Sequence, residues 1–307
     1  MRVLDLGGKQ SAAGQPIVPA APWRFGAPSP WLAPALVGLL LTAGCATLTQ
    51  PTAPAAVPEM QQGKAAGFLP TSALPNSLKL LPPPPAAGSA AFAADQAAFR
   101  ESRAYRGTPR WALAASDAIL NLPQAPEAFS CALDAPITAA ATPHLYALLG
   151  RSKSDAGAST GAAKNHYQRT RPFNFYHQSK SSCTPDQEGD LSKNGSYPSG
   201  HTTIGWTWTL ILTELAPERT DPLLSRGYAF GQSRVICGVH WQSDVTAGRV
   251  LAAGVVARLH ADPAFRTQVE AARTELAAVR AKGLKPTRDC QAEAAALALP
   301  LPRTRHP

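Results

Sequence analysis

The stretch Tyr197-Pro198-Ser199-Gly200-His201-Thr202-Thr203-Ile204-Gly205-Trp206-Thr207-Trp208-Thr209-Leu210-Ile211-Leu212 decides the fold class. A Ser-Gly turn feeds directly into an apolar segment, residues 202–214, which reads as a buried helix. Outward from it, 3.6-residue apolar periodicity recurs at 92–103, 109–120, 142–149, 157–169, 222–231 and 243–260, and after Pro263 a charged amphipathic helix is expected over 264–282. Stretches of strand length with alternating apolar and polar residues are nearly absent. The expected architecture is therefore all-α, a single helical-bundle domain.

The ends of the chain read differently. Residues 31–43 form the one membrane-type apolar segment, too short to span a bilayer and ending in Leu41-Thr42-Ala43-Gly44-Cys45. That pattern reads as an export leader over 1–45, with small residues before a cysteine as at a bacterial lipoprotein cleavage site, so Cys45 is the candidate lipid anchor. Half of the 30 prolines precede residue 86, and 46–75 is expected to be a Pro/Ala-rich linker. Leu80-Leu81-Pro82-Pro83-Pro84-Pro85 must be extended, because each proline biases its predecessor away from helix. The catalytic domain is expected over 76–282, and 283–307 as a tail held at most through Cys290.

With 307 residues, 45% hydrophobic and 16% charged, the chain is globular in its middle and C-terminal parts. A formal charge of +9 would permit nucleic-acid binding, but no basic run with interleaved aromatics is present, and the excess suits anionic substrates equally well. Apart from Cys45 there are four cysteines, Cys131, Cys183, Cys237 and Cys290. An even number in an exported chain points to two disulfides, with three connectivities open. No zinc-type Cys/His spacing occurs, and no metal or other cofactor is expected.

Three segments carry the chemistry: Lys164-x6-Arg171-Pro172, Pro198-Ser199-Gly200-His201, and Ser233-Arg234-x5-His240-x3-Asp244. A tetrahedral dianion wants fixed cations and N–H donors around its oxygens, and in-line displacement wants a nucleophile on one face and a proton donor on the other. Lys164 offers a point charge and Arg171 and Arg234 planar forks. Lys164 and Arg171, about two turns apart, face one pocket if the helix runs on to Arg169, with Pro172 ending it; helical phase turns Arg169 away from that pair, and both His166 and Arg169 read as solvated or as supporting the site from behind. Ser199 and the unpaired N–H groups after it can cradle oxygens, and Gly200 keeps the approach open. On a helix, His240 and Asp244 share a face, so that the carboxylate accepts the Nδ1 hydrogen and leaves Nε2 free to attack. Ordinary capping at Ser199, a surface His240–Asp244 pair and solvated arginines would each explain one segment alone, but not all three together.

These eleven positions, with Lys193–Thr202, Gly231–Gly238 and the tetraproline segment around them, resemble the class A bacterial non-specific acid phosphatases of the type 2 phosphatidic acid phosphatase superfamily. The resemblance covers about residues 76–282. It implies an all-helical core shared with vanadium haloperoxidases, hydrolysis of phosphomonoesters in the periplasm without a metal, and a homo-oligomer, dimer or larger; the balance of hydrolysis against phosphotransferase activity toward alcohols stays open. It implies His240 as a nucleophile forming phosphohistidine, Asp244 as its partner, His201 as the acid that protonates the leaving alcohol, and Lys164, Arg171, Ser199, Gly200 and Arg234 as the phosphate-binding set. On this reading His201 must hold a proton while His240 does not, so the two imidazoles should titrate apart. Cys183 and Cys237 stand where relatives have cysteine, and Cys131 and Cys290 where they do not, which implies the pairings Cys183–Cys237 and Cys131–Cys290. Asn121-Leu122-Pro123-Gln124 replaces a Ser/Gly-rich loop near the site in relatives, the place where substrate range should differ.

Two rivals remain at this level: a vanadate-dependent haloperoxidase using the same cradle with His240 as vanadate ligand, and a catalytically idle phosphate-binding lipoprotein. The second has no need of opposed imidazoles. A lipid phosphatase of this superfamily would carry several membrane helices, whereas this chain has one short leader.

Overall fold

The computed structural model describes residues 65–299, so the expected leader, Cys45 and most of the expected linker lie outside the described residues. The described part is helical, with no strand among its residues. The principal helices are α1 (Ala90–Ser102), α2 (Pro109–Asp117), α3 (Pro143–Ser159), α4 (Gly161–Tyr167), α5 (Gly200–Leu215), α6 (Thr220–Ile236), α7 (Gln242–Leu259), α8 (Pro263–Ala281) and α9 (Cys290–Leu297). The all-α expectation stands.

The segment quoted first is the centre of the bundle. α5 packs against α3, α6 and α7, while α8 closes over α3 and α5. Trp208, Ile211 and Leu212 of α5 meet Leu145, Leu148 and Leu149 of α3 and Leu251 and Val255 of α7, all fully buried. Trp208 also donates its indole N–H to the Leu149 carbonyl at 2.8 Å, satisfying the polar atom such a ring brings into a core. The Pro143–Ser159 helix is longer than the periodicity suggested, because Gly150, buried, and Gly157, with Ile204 of α5 3.8 Å from where its Cβ would stand, lie within it rather than breaking it. α6 likewise extends beyond 222–231 at both ends; Pro222 sits in its first turn, where an amide hydrogen has no acceptor to lose.

Two expected boundaries are corrected. Residues 65–75 are not free linker: Phe68 and Leu69 enter the core, and their N–H groups donate to the buried Asp155 carboxylate at 2.8 and 3.1 Å. Arg151 stacks on Phe68 at 3.8 Å and donates to the carbonyls of Ala66 and Gly67. A Cβ on Gly67 would stand 2.2 Å from the Asp155 carboxylate, so only glycine lets the chain pass there. Within the residues read as tail, Cys290–Leu297 form α9, whose Glu293 lies 3.3 Å from the buried Arg226 guanidinium. Cys131 joins Cys290 and Cys183 joins Cys237, the two pairings the resemblance implied. Leu80, expected to be extended, instead ends a one-turn helix, Ser77–Leu80, capped by the Asn76 side chain; Leu81 is extended, residues 82–85 are in neither helix nor strand, and the Tyr197 hydroxyl donates to the Pro82 carbonyl at 2.7 Å.

Candidate active site

The three segments converge at the N-terminal ends of α5 and α7. Ser199 caps α5: its Oγ accepts from the Thr202 N–H at 3.3 Å and the Thr202 hydroxyl at 3.0 Å, leaving its own hydrogen to donate. The N–H groups of Gly200 and His201, first in the helix, have no acceptor within it. A Cβ on Gly200 would lie 3.9 Å from Lys164 Cε, inside the space these donors face. Capping and cradling are therefore compatible at Ser199. Its amide donates to the Asp244 carbonyl at 3.0 Å, joining the second segment to the third through the main chain.

His240 and Asp244 come together, but not by sharing a helical face. His240 precedes α7, Trp241 is its N-cap, and Asp244 occupies the third helical position, where Oδ2 accepts from the Trp241 N–H at 2.9 Å. The same oxygen lies 3.2 Å from His240 Nδ1. Arg171 Nη1 lies 3.1 Å from His240 Nε2 and donates to the Val239 carbonyl at 3.0 Å. A guanidinium has no lone pair to offer, so Nε2 is the acceptor and Nδ1 carries the hydrogen, the tautomer an attacking Nε2 requires.

The Lys164–Arg171 pairing also arises differently from the helical reading. α4 stops at Tyr167, Gln168 turns with φ 42°, and Arg171 opens the one-turn helix Pro172–Phe175. Pro172 therefore begins a helix instead of ending one, its fixed φ suiting a first helical position. Arg171 is fastened by bonds to the Leu191 carbonyl at 2.8 Å and Asn194 Oδ1 at 2.6 Å, and Lys164 Nζ donates to the Gly195 carbonyl at 2.6 Å. Arg234 is fully buried, yet its Nε and Nη2 have no partner, and its Nη1 has only the Cys237 sulfur at 4.0 Å. A buried charge left without partners is costly, so those hydrogens mark a place for an anion.

The electrostatics follow. Burial, then the neighbouring Arg171, lowers Lys164 to about 7, and burial lowers Arg171 to about 10. Burial and Arg171 bring Arg234 down to about 9. His240 is held well below the usual imidazole value by burial first and then by Arg171, Lys164 and Arg234, with the Ser196 carbonyl opposing. His201 is also held well below it, by burial and then Arg234, although its Nε2 lies 2.9 Å from the Ala118 carbonyl. Arg171 and Arg234 thus press on both imidazoles, with Lys164 acting on His240 as well.

The catalytic and phosphate-binding residues expected are brought together; Arg169, read as either solvated or supporting the site from behind, bonds Asp244, and His166 is exposed. Asp95, Asn194 and the Ala118 carbonyl were not anticipated. Asp95 left a signal, lying three residues after Phe92 and four before Phe99 on the apolar face of α1. A groove of about 450 Å³ beside Leu81, Pro82 and Val250 shares Asp95, Tyr197 and Ser243 with the surroundings of Asp244 but none of the cradle residues. Among the described residues no group of three or more His, Cys, Asp or Glu side chains could hold a metal ion.

Residues 141–268 match the model of the PAP2 superfamily. A non-specific acid phosphatase of Providencia stuartii is 48% identical over 214 residues, covering 69% of this chain and 86% of that protein. An acid phosphatase of Zymomonas mobilis is 43% identical over 68% of this chain and 78% of its own length. A non-specific acid phosphatase of Salmonella typhimurium is 44% identical over 66% and 80% respectively. With the three segments assembled as an anion cradle facing two imidazoles, this likeness places the chain among the class A bacterial acid phosphatases of the PAP2 superfamily.

Proposed function

We propose that this acid phosphatase hydrolyses phosphomonoesters through a phosphohistidine on His240, without a metal. The observation that carries the reading is Arg234: fully buried, two nitrogens unpartnered, in a cluster with Arg171, Lys164 and His240. In the proposed sequence, Arg171, Arg234 and Lys164, with the N–H groups of Gly200 and His201 and the Ser199 hydroxyl, hold the phosphoryl oxygens. His240 Nε2 forms a bond to phosphorus while the ester P–O bond breaks, and the leaving oxygen takes a proton from His201. Because Nε2 of His201 faces the Ala118 carbonyl, Nδ1 is the nitrogen that delivers it. Water then gives a proton to His201, its oxygen bonds phosphorus, and the P–N bond breaks to release phosphate. An alcohol in place of that water gives phosphotransfer. Asp244 balances the imidazolium in between.

Three guanidinium and ammonium groups supply the charge stabilisation for which other phosphatases use metal ions. Two disulfides suit an oxidising compartment, which supports export to the periplasm. His201, which hands its proton to the leaving group, lies 2.9 Å from the Ala118 carbonyl, three residues before the changed stretch 121–124, and this supports 121–124 as the residues that set substrate range. Assay of nucleotides, sugar phosphates, aryl phosphates and phytate with EDTA present tests the reading. Activity surviving chelation, and an acid-labile phosphoryl adduct on His240 after rapid quench, are expected; His240→Ala with unchanged turnover sinks the mechanism.

A further inference from the structure

The two oxygens of Asp244 serve different partners. Oδ2 faces His240 and the Trp241 amide, whereas Oδ1 accepts from Arg169 Nη1 at 2.6 Å. Arg169 Nη2 continues to Asp95 Oδ2 at 2.8 Å, and Nη1 also donates to Ser243 Oγ at 2.7 Å. Asp95 accepts from the Ser243 amide at 2.8 Å and from its hydroxyl at 2.6 Å. The three charged side chains are 0–9% exposed, and Arg169 is flanked by the rings of Phe92 and Trp241.

We infer that Arg169 and Asp95 are positioning residues for His240, a chain of alternating charge behind Asp244 that fixes the aim and basicity of the nucleophile. The inference rests on the phosphohistidine reading of the same site. Its argument is one of charge. Lys164 and Arg171, Arg234 of α6 and His201 of α5 all face His240 from the phosphate side, and Tyr197 lies near Asp244 and Arg169 on the other. A phosphorylated imidazole ring is cationic, and only the Asp244 side can balance it. A lone arginine on Asp244 would draw that carboxylate's charge away from the ring; Asp95 offsets the arginine, so Asp244, Arg169 and Asp95 together keep one net negative charge. Arg169 makes no bond to any cradle residue, so its contribution reaches the chemistry only through Asp244.

Arg169→Gln and Asp95→Asn in the full chain, with Arg169→Lys as the conservative variant, test this by opposite signs. Removing the cation strengthens Asp244 toward His240, so Arg169→Gln should raise the His240 pKa and move the acid limb of kcat/KM up by about one pH unit. Asp95→Asn leaves Arg169 unbalanced and should move that limb down. In both, kcat should fall about 10- to 100-fold with KM within about twofold, and Arg169→Lys should restore most of it. Ring-nitrogen NMR titration of His240 in the resting protein reads the same shifts without turnover. Shifts of one sign for both variants, no shift, or a rise in KM at unchanged kcat overturns the inference. Thermal melts identify a variant that fails to fold, in which case Asp95→Asn and Arg169→Lys carry the comparison. An inactive wild type, or active His240→Ala, would defeat the phosphohistidine reading instead, and the NMR titration would still judge the charge chain.

Discussion

Arg171 points a guanidinium hydrogen at Nε2 of His240 across 3.1 Å, occupying the nitrogen proposed to attack phosphorus. The arrangement keeps that nitrogen unprotonated, and an arriving phosphoryl oxygen gives the hydrogen a better acceptor. Arg171→Lys should therefore lower kcat/KM by about 100- to 1,000-fold, since one ammonium cannot serve the Leu191 and Val239 carbonyls, Asn194 and an oxygen together. Steady-state kinetics beside an unchanged circular dichroism spectrum check this.

The value near 7 at Lys164 gives the pH profile a residue to name. Below it the ammonium helps hold the substrate; above it the charge is lost. Loss of the His201 proton should begin the alkaline fall of kcat/KM below the usual imidazole value, and Lys164 should add a second fall near pH 7 that Lys164→Arg, charged throughout, removes. A second fall that stays in place in that variant belongs to another group.

Arg234 should cost stability in the empty protein, being a buried guanidinium with unpartnered nitrogens. Arg234→Met, similar in length and apolar, should raise the thermal midpoint without phosphate, by the equivalent of about 1–4 kcal/mol. It should also erase the rise that phosphate produces in the wild type, where ligand at 100 times Kd adds about 2.7 kcal/mol. Differential scanning calorimetry with and without phosphate reads both.

The two depressed imidazoles make stability depend on acidity. His201 and His240 protonate in the unfolded chain near pH 6.5 but at lower pH in the folded one. The stability of their neutral forms is complete above that value and is lost as pH falls toward their folded values, at most about 1.4 kcal/mol per pH unit for each. The unfolding midpoint of the empty protein should drop between pH 7 and 5, and phosphate, by offsetting the cations, should shallow the drop.

The disulfides should separate in effect. Cys131→Ser with Cys290→Ser frees α9 and exposes Arg226, removing about 2–4 kcal/mol of stability with little change in kcat. Cys183→Ser with Cys237→Ser loosens the turn three residues beyond Arg234 and should lower kcat/KM as well.

The cradle and its imidazoles were legible because chemistry restricts residue type at short spacing, and Ser199, Gly200 and Arg234 needed only a turn and two helices to meet. The route was less legible than the destination. His240 and Asp244 were read as helical neighbours, yet meet across a helix start, where an acidic third residue caps the chain as readily as it orients a ring. Lys164 and Arg171 meet through a left-handed turn at Gln168, a residue type that does not announce one. Asp95 stayed hidden because its partner lies 74 residues away, and Phe68 because a proline-rich context masks an anchor supplied by Asp155.

The hydrogen bond from the Ser199 amide to the Asp244 carbonyl belongs to the main chain alone. Replacing the side chain of His240 or Asp244 does not touch it, so the spacing between cradle and nucleophile survives loss of the nucleophile itself. A chemically silent variant such as His240→Ala should then retain a shaped receptacle for intact esters. Such a protein would serve as a trap in which the natural substrate can be captured and identified whole.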